Sequence, residues 1–196
     1  MIDLFEKCYK PGIADEAKAR GIYPYFHALE SKQDVTVIME GKRRIMLGSN
    51  NYLGLTTNEN VIRAGVEAYE AFGSGCSGSR FLNGTLKLHL ELEQELAAFL
   101  RKDEVVTFST GFQSNLGIIS ALVGLRDYVI MDRENHASLY DGCRLSYGTM
   151  LRYRHSDMQD LEKKLQKVPE GAGCLIVTDG VFSMGGEIAN LPEICR

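Results

Sequence analysis

The residues of this chain that are best suited to catalysis or ligand binding follow short apolar segments. His136 follows the apolar run at 128–131 after four polar residues, just before a stretch of helical character. Asp179 and Ser183 lie at or after the end of a second apolar run, at 173–180. Gly111 begins a helical pattern directly after a third run, at 104–110. Ligands of open α/β sheets bind outside the carboxyl ends of the strands. The spacing therefore predicts that these residues meet at one ligand-binding edge of a sheet.

The helix start at Gly111 contributes backbone donors to this predicted edge. Gly111 opens the helical half of "FSTGFQSN" (108–115), immediately after the strand pattern. The first N–H groups of a helix have no partner inside it, and together with the helix dipole they bind anions such as phosphate. An ordinary helix start without a ligand fits the same letters equally well.

The other residues also have simpler explanations. A single histidine such as His136 is more often a helix cap or a core residue than a catalytic group. Asp179 could equally cap the following turn. The convergence of three such features on one sheet edge is what favours a ligand site.

The sequence motifs disfavour two classes of enzyme, the dinucleotide-binding enzymes and the hydrolases. "GSGCSG" (73–78) matches the G-x-G-x-x-G pattern, but a helical pattern precedes it and a loop-like segment follows. A dinucleotide site needs a strand before the glycines and a helix after them. A hydrolase would need Cys76 or Ser183 as nucleophile with His89 or His136 as base, and no G-x-S-x-G elbow supports it.

Alternating strand and helix patterns position the candidate residues. From about residue 100 onward, strand patterns alternate with helical ones, which is typical of βαβ units and a mainly parallel sheet. We expect an α/β fold with residues 1–45 as an arm and short hairpin, and 46–196 as the front part of a larger domain. The predicted strands are 104–110, 127–132, 149–155 and 173–180, and the predicted helices are 60–72, 86–100, 111–124, 138–146 and 158–168.

Composition narrows the function classes further. The chain has 196 residues, of which 44% are hydrophobic and 24% are charged, and its net charge is -4. This charge gives no reason to expect a nucleic acid, and no apolar run is long enough to span a bilayer. Five cysteines without metal-site spacing predict neither a disulfide framework nor a zinc site. We expect a reduced cytoplasmic protein without a metal.

Five segments in order resemble one enzyme family. "SNNYLGL" (49–55), "GSGCSGSRFLNGT" (73–85), "FSTGFQSN", "NHASLYDG" and "DGVFSMGGEIANLPEI" (179–194) are together similar to the α-oxoamine synthases. These are pyridoxal-phosphate enzymes with the aspartate-aminotransferase fold, which is fold type I of the pyridoxal-phosphate transferases. The resemblance runs from about residue 20 to the end of the chain.

The resemblance implies an activity, a cofactor and partners. The run from "GIYPYF" to "GSGCSGSRFLNGTLKLHLELE" is most similar to the bacterial serine palmitoyltransferase branch. It implies pyridoxal 5'-phosphate, an amino acid (serine, or glycine or alanine), an acyl-CoA, loss of CO2 and CoA, and a homodimer. The branches of 2-amino-3-ketobutyrate CoA ligase and 8-amino-7-oxononanoate synthase share most of the motifs and stay open. A non-catalytic partner subunit of the same fold also stays open.

The resemblance also implies roles for single residues. Gly111 and Phe112 would donate backbone N–H groups to the cofactor phosphate. His136 would be the catalytic residue that stacks on the pyridine ring and contacts the substrate carboxylate. Ser183 would contact the cofactor, and Asp179 would support the same wall.

Further roles concern the first part of the chain and the lysine. Asn50 would lie near the amino-acid carboxylate, the loop at 73–79 near the dimer interface, and Tyr23 to Phe26 near the acyl-CoA channel. The family's Schiff-base lysine and pyridine-nitrogen aspartate would lie downstream of Arg196. We therefore expect half a cofactor site in a fold truncated at its C-terminal side, with the lysines at 87, 163, 164 and 167 on helices.

Overall fold

The computed structural model describes residues 3–196. The chain falls into two compact units that divide between Ser79 and Arg80. The predicted boundary between an arm and the larger domain, at residues 45 and 46, stays a prediction.

Seven helices and five strands make up the regular structure of the described residues. A 3-10 turn at Glu6–Cys8 precedes them. In chain order they are α1 (Ile13–Ala19), β1 (Thr36–Met39), β2 (Lys42–Ile45), α2 (Glu59–Phe72), α3 (Lys87–Leu100), α4 (Gly111–Leu122), β3 (Tyr128–Asp132), α5 (Ala137–Leu145), β4 (Thr149–Tyr153), α6 (Met158–Leu165), β5 (Cys174–Val177) and α7 (Leu191–Ile194).

The first unit contains the predicted hairpin. Strands β1 and β2 pair antiparallel, with Met39 opposite Lys42, so only two residues form the turn. Both of them, Glu40 and Gly41, have positive φ angles of 53° and 67°. Two-residue hairpin turns of type I′ require this backbone, because it matches the twist of the flanking strands. Helix α1 in the arm was not anticipated from the sequence.

The second unit is built on a parallel sheet in the order β4-β3-β5. Both neighbours of β3 run parallel to it, with Ile130 aligned to Leu151 on one side and to Ile176 on the other. Parallel neighbours need crossover connections, which α5 and α6 provide. The three carboxyl ends consequently lie at one edge of the sheet.

Helices cover both faces of this sheet. Side chains alternate between the faces along a strand, so Val129 and Met131 of β3 pack with α4 and α5 on one face. Ile130 packs with Tyr153 and with Leu161 of α6 on the other. The predicted α/β fold with a mainly parallel sheet and helices on both faces is confirmed.

The predicted strand at 104–110 is wrong within the described residues. No regular element covers this segment. The backbone N–H of Thr107 donates to the Glu93 carboxylate of α3, at 3.0 Å, and not to a neighbouring strand. β-branched composition favours an extended chain, but a strand also needs a ladder partner, and no described strand pairs with this segment.

Helices α4 and α5 approach each other closely at Gly142. A Cβ atom at this position would lie 2.9 Å from the carbonyl oxygen of Asn115 and 2.9 Å from Cδ1 of Ile119. Only glycine allows this backbone approach without displacing α4. The contact sets the position of α5, and therefore of His136 in front of it, relative to α4.

Replacing Gly142 with alanine tests this packing. We expect Gly142→Ala to lower the free energy of unfolding by about 1–3 kcal/mol, because the added methyl overpacks the contact. Gly65→Ala is the matched control: Gly65 lies in α2 with no atom within 4 Å of its Cβ position. That control should raise stability by about 0.5–1 kcal/mol through helix propensity. Equal effects of the two changes in chemical denaturation would contradict the close approach.

Candidate functional site

The start of α4 presents two free backbone donors. The Thr110 hydroxyl caps the helix by accepting the N–H of Gln113 at 3.1 Å, and the Thr110 carbonyl accepts that of Ser114 at 3.0 Å. The N–H groups of Gly111 and Phe112 have no acceptor within residues 3–196. Two unpaired donors at the positive end of a 12-residue helix form a site suited to a phosphate group.

His136 lies beside this helix start. Its ring centroid is 6.4 Å from that of Phe112, and the two rings meet at 77°. His136 is the N-cap of α5, where its Nδ1 accepts the N–H of Ser138 at 3.2 Å. The side chain is exposed. His136 is therefore a helix cap that still presents Nε2 and a ring face to a ligand.

Asp179 holds the backbone of His136 in place. Its Oδ2 accepts the His136 N–H in a 2.6 Å hydrogen bond that joins the end of β5 to the end of β3. This carboxylate thus supports the segment that carries the imidazole. Its predicted contact with the cofactor stays a prediction.

Asn135 fastens the same two strand ends, and the sequence interpretation missed it. Its Nδ2 donates to the Val177 carbonyl at 2.8 Å, and its Oδ1 accepts the Asp179 N–H at 3.0 Å. Asn135 is only 8% exposed. A primary amide immediately after a buried strand was the available signal, because such a group can both donate and accept where the ladder ends.

Ser183 lies apart from this network. It sits in the turn between Phe182 and Gly186, where the Gly186 N–H donates to the Phe182 carbonyl at 2.7 Å. Its side chain is exposed and makes no hydrogen bond within the described part of the chain. The structure brings Gly111, Phe112, His136 and Asp179 together, and the role of Ser183 stays a prediction.

A second polar cluster occupies the α6 side of the sheet edge. Asp132 is 1% exposed and accepts the N–H groups of Glu134, at 2.8 Å, and of Ser156, at 3.0 Å. His155 Nδ1 lies 3.0 Å from Asp132 Oδ1, and its ring packs edge-on against Phe182 at 4.4 Å. A cavity of about 270 Å³ lies there, lined by Glu134, His155, Phe182, Met184, Gly185 and Glu187.

Asn50 belongs to the first unit. With Ser49, Asn51 and Tyr52 it lines a cavity of about 730 Å³. Asn50 is exposed at this cavity. Its predicted contact with a substrate carboxylate stays a prediction.

The glycine-rich segment lacks the context of a dinucleotide site. Helix α2 ends before Gly73, which has a φ of 78° and donates its N–H to the Tyr69 carbonyl at 2.9 Å. No regular element follows until α3 begins at Lys87. Gly73 therefore ends helix α2 with a backbone angle that favours glycine, and the predicted context of the segment, a helix before it and a loop after it, is confirmed.

The lysines named above lie on or beside helices. Lys163 and Lys164 lie in the last turn of α6, with Lys164 Nζ 3.7 Å from Asp160. Lys87 begins α3 and pairs with Glu91 at 3.0 Å, and Lys167 follows the end of α6. Residues 3–196 contain no cluster of side chains suited to a metal ion, and none of their helices is long and apolar enough to cross a membrane.

Removing the Asp179 carboxylate tests its hold on His136. We expect Asp179→Ala to speed hydrogen exchange of the His136 amide by at least about tenfold, because a charged acceptor is lost. Asp141→Ala is the matched control, since Asp141 is exposed on α5 and its side chain makes no hydrogen bond within residues 3–196. Unchanged exchange in Asp179→Ala would show that this hydrogen bond does not hold the segment.

The comparisons with known proteins agree on one family. The sequence pattern of the family Aminotransferase class I and II matches residues 42–196. The chain is 54% identical to a serine palmitoyltransferase of Bacteroides thetaiotaomicron over 193 residues, which is 98% of this chain and 49% of the relative. It is 45% identical to an 8-amino-7-oxononanoate synthase of Thermoanaerobacter pseudethanolicus, covering 93% of this chain and 46% of that enzyme.

A solved structure agrees in fold. The serine palmitoyltransferase of S. paucimobilis with a bound PLP–myriocin aldimine superposes with a TM-score of 0.92 at 41% identity. The match covers 98% of this chain and 49% of that one, so the chain spans about half the length of the relatives it matches. The resemblance to the α-oxoamine synthases is confirmed, and the chain belongs to the aminotransferase class I and II family.

Proposed function

We propose that this chain forms part of a pyridoxal-phosphate-dependent acyltransferase that condenses serine with palmitoyl-CoA. The observation that carries the proposal is the pair of free N–H groups at Gly111 and Phe112 beside the exposed ring of His136. The identity to serine palmitoyltransferases supports the choice of substrates.

In the proposed reaction Cα of serine loses its proton and bonds to the thioester carbonyl carbon, while CoA leaves with the thioester sulfur and takes up a proton. The carboxylate of serine leaves as CO2, and Cα takes up a proton in its place. Pyridoxal 5'-phosphate, when bound, supplies the electron sink that stabilises negative charge at Cα.

The start of α4 fits the phosphate of this cofactor. A phosphate ester needs several donors and a positive potential, and the helix start offers two N–H groups together with its dipole. The Thr110 side chain is already engaged with Gln113. In this proposal, Gly111 and Phe112 anchor the cofactor through their backbone.

His136 fits the remaining demands of the site. Its imidazole is flat and exposed, and its backbone is held by Asp179. A ring held in this way would cover one face of a planar cofactor, and its Nε2 would donate to the amino-acid carboxylate. Asp179 and Ser183 would complete the cofactor wall, and Asn50 would contribute to carboxylate binding.

A second candidate uses another amino acid and acyl-CoA on the same machinery. The identity to 8-amino-7-oxononanoate synthases favours it, and 2-amino-3-ketobutyrate CoA ligase is the corresponding glycine-dependent alternative. A partner subunit without turnover is the candidate from a different class.

We further propose that the Schiff-base lysine and the pyridine-nitrogen aspartate come from sequence outside residues 1–196. The relatives are about twice as long as this chain, and its lysines named above lie on or beside helices. The 196-residue chain alone is then inactive, and the active form is a cytoplasmic homodimer.

CoA release by the full-length protein tests the proposed activity. We expect turnover with serine and palmitoyl-CoA, and less with alanine or glycine. His136→Ala should keep the cofactor, because phosphate and lysine contacts remain, while kcat/KM falls about 10- to 100-fold through loss of a charged hydrogen bond.

His27→Ala is the matched control for this assay. His27 is an exposed histidine of the first unit that pairs with Glu40 at 2.7 Å, and its loss should leave turnover unchanged. Faster turnover with alanine or glycine would favour the second candidate. Normal turnover of His136→Ala with serine would leave His136 as a helix cap only.

A further inference from the structure

A chain of hydrogen bonds leads from α4 to the imidazole of His136. The Nδ2 of Asn115 donates to the Ser138 hydroxyl oxygen at 2.9 Å. That oxygen lies 2.7 Å from His136 Nδ1. The Ser138 backbone N–H donates to the same Nδ1 at 3.2 Å.

The donors and acceptors fix the direction of this chain. An amide nitrogen only donates, so the Ser138 oxygen accepts from Asn115, which leaves the hydroxyl proton free to be donated to His136 Nδ1. The Ser138 backbone N–H also donates to Nδ1, at the longer distance of 3.2 Å, and so favours Nδ1 as an acceptor. Nδ1 therefore carries no proton, and a neutral imidazole holds its proton on Nε2.

Burial protects this arrangement from solvent. Ser138 is 1% exposed, and Asn115 is half-buried on α4. Both residues lie beside the close approach of α4 and α5, where the Asn115 carbonyl faces Gly142. The imidazole is exposed, so its Nε2–H remains available to a ligand while Nδ1 is occupied.

We propose that Asn115 and Ser138 are positioning residues that hold His136 as an Nε2–H donor for the substrate carboxylate. The proposal rests on the proposed function and adds the residues that set its donor. Asn115 fixes the hydroxyl of Ser138, and Ser138 fixes the tautomer and ring angle of His136. Neither residue touches the substrate.

Nitrogen NMR of the histidine-labelled full-length protein tests the tautomer without substrate. At a pH where the imidazole is neutral, we expect a protonated Nε2 and an unprotonated Nδ1 for His136, assigned with His136→Gln. Asn115→Asp should shift the proton towards Nδ1, because the carboxylate accepts the Ser138 proton and the hydroxyl oxygen then accepts from Nδ1. Ser138→Ala should give a mixture, since only the backbone N–H remains.

Two matched controls separate this effect from general perturbation. Gln159→Glu places the same charge on the exposed face of α6, away from the start of α4. Ser120→Ala removes a half-buried hydroxyl of α4 that donates to the Leu116 carbonyl at 2.6 Å. Both should leave the His136 tautomer unchanged. A wild-type Nδ1–H tautomer, or an Asn115→Asp spectrum identical to wild type, would overturn the proposal.

Kinetics tests the link to substrate. Ser138→Ala and Asn115→Asp should raise KM for serine about two- to tenfold, with cofactor affinity unchanged and little change in KM for palmitoyl-CoA. A shifted tautomer with unchanged KM for serine would overturn the role in carboxylate binding. Absence of wild-type turnover would reject the proposed function, while the tautomer result would still decide how His136 is held.

Discussion

The side-chain amide of Asn135 holds the candidate site together beyond the end of the sheet. Where β3 and β5 stop pairing, this amide donates to the Val177 carbonyl and accepts the Asp179 N–H. It thereby continues the pattern of the ladder with side-chain atoms, at a position where water is largely excluded. Asp179 is then directed at the His136 N–H. A buried polar group without a partner would cost about 1–3 kcal/mol of folding free energy. Breaking one hydrogen bond of this network is therefore unfavourable, because it leaves such a group unpaired.

Helix packing supplies the second half of the geometry. Asn135 and Asp179 fix where the chain leaves the sheet, while the contact of Gly142 with α4 fixes where α5 lies. The free donors of α4 and the ring of His136 thus come from two elements whose separation is set by backbone contact. Dense packing resists small displacements, which favours a site whose geometry is formed before a ligand binds.

The sequence predicted which segments are helical or extended better than it predicted which extended segments pair with a partner strand. The βαβ rhythm and the apolar pattern of β3 were sufficient for the parallel sheet, because buried parallel strands leave a strong signal. The segment at 104–110 carried the same local signal but lacks a described partner strand. Propensity alone cannot reveal whether a partner exists.

Single site residues show the same limit. Gly111 and His136 became candidates because helix starts and strand ends are readable from the order of elements. Asn135, Ser138 and Asn115 were missed. The partners of Asn135 lie 42 and 44 residues further along the chain, and Asn115 and Ser138 bond to each other from two different helices. Hydrogen bonds between distant residues leave no periodicity in the sequence.

A crystal structure of the full-length protein with pyridoxal 5'-phosphate is the most direct test of the central claim. The account predicts phosphate oxygens within hydrogen-bond distance of the Gly111 and Phe112 nitrogens, with the His136 ring against one face of the pyridine. A phosphate bound elsewhere, with the start of α4 facing solvent, would contradict it.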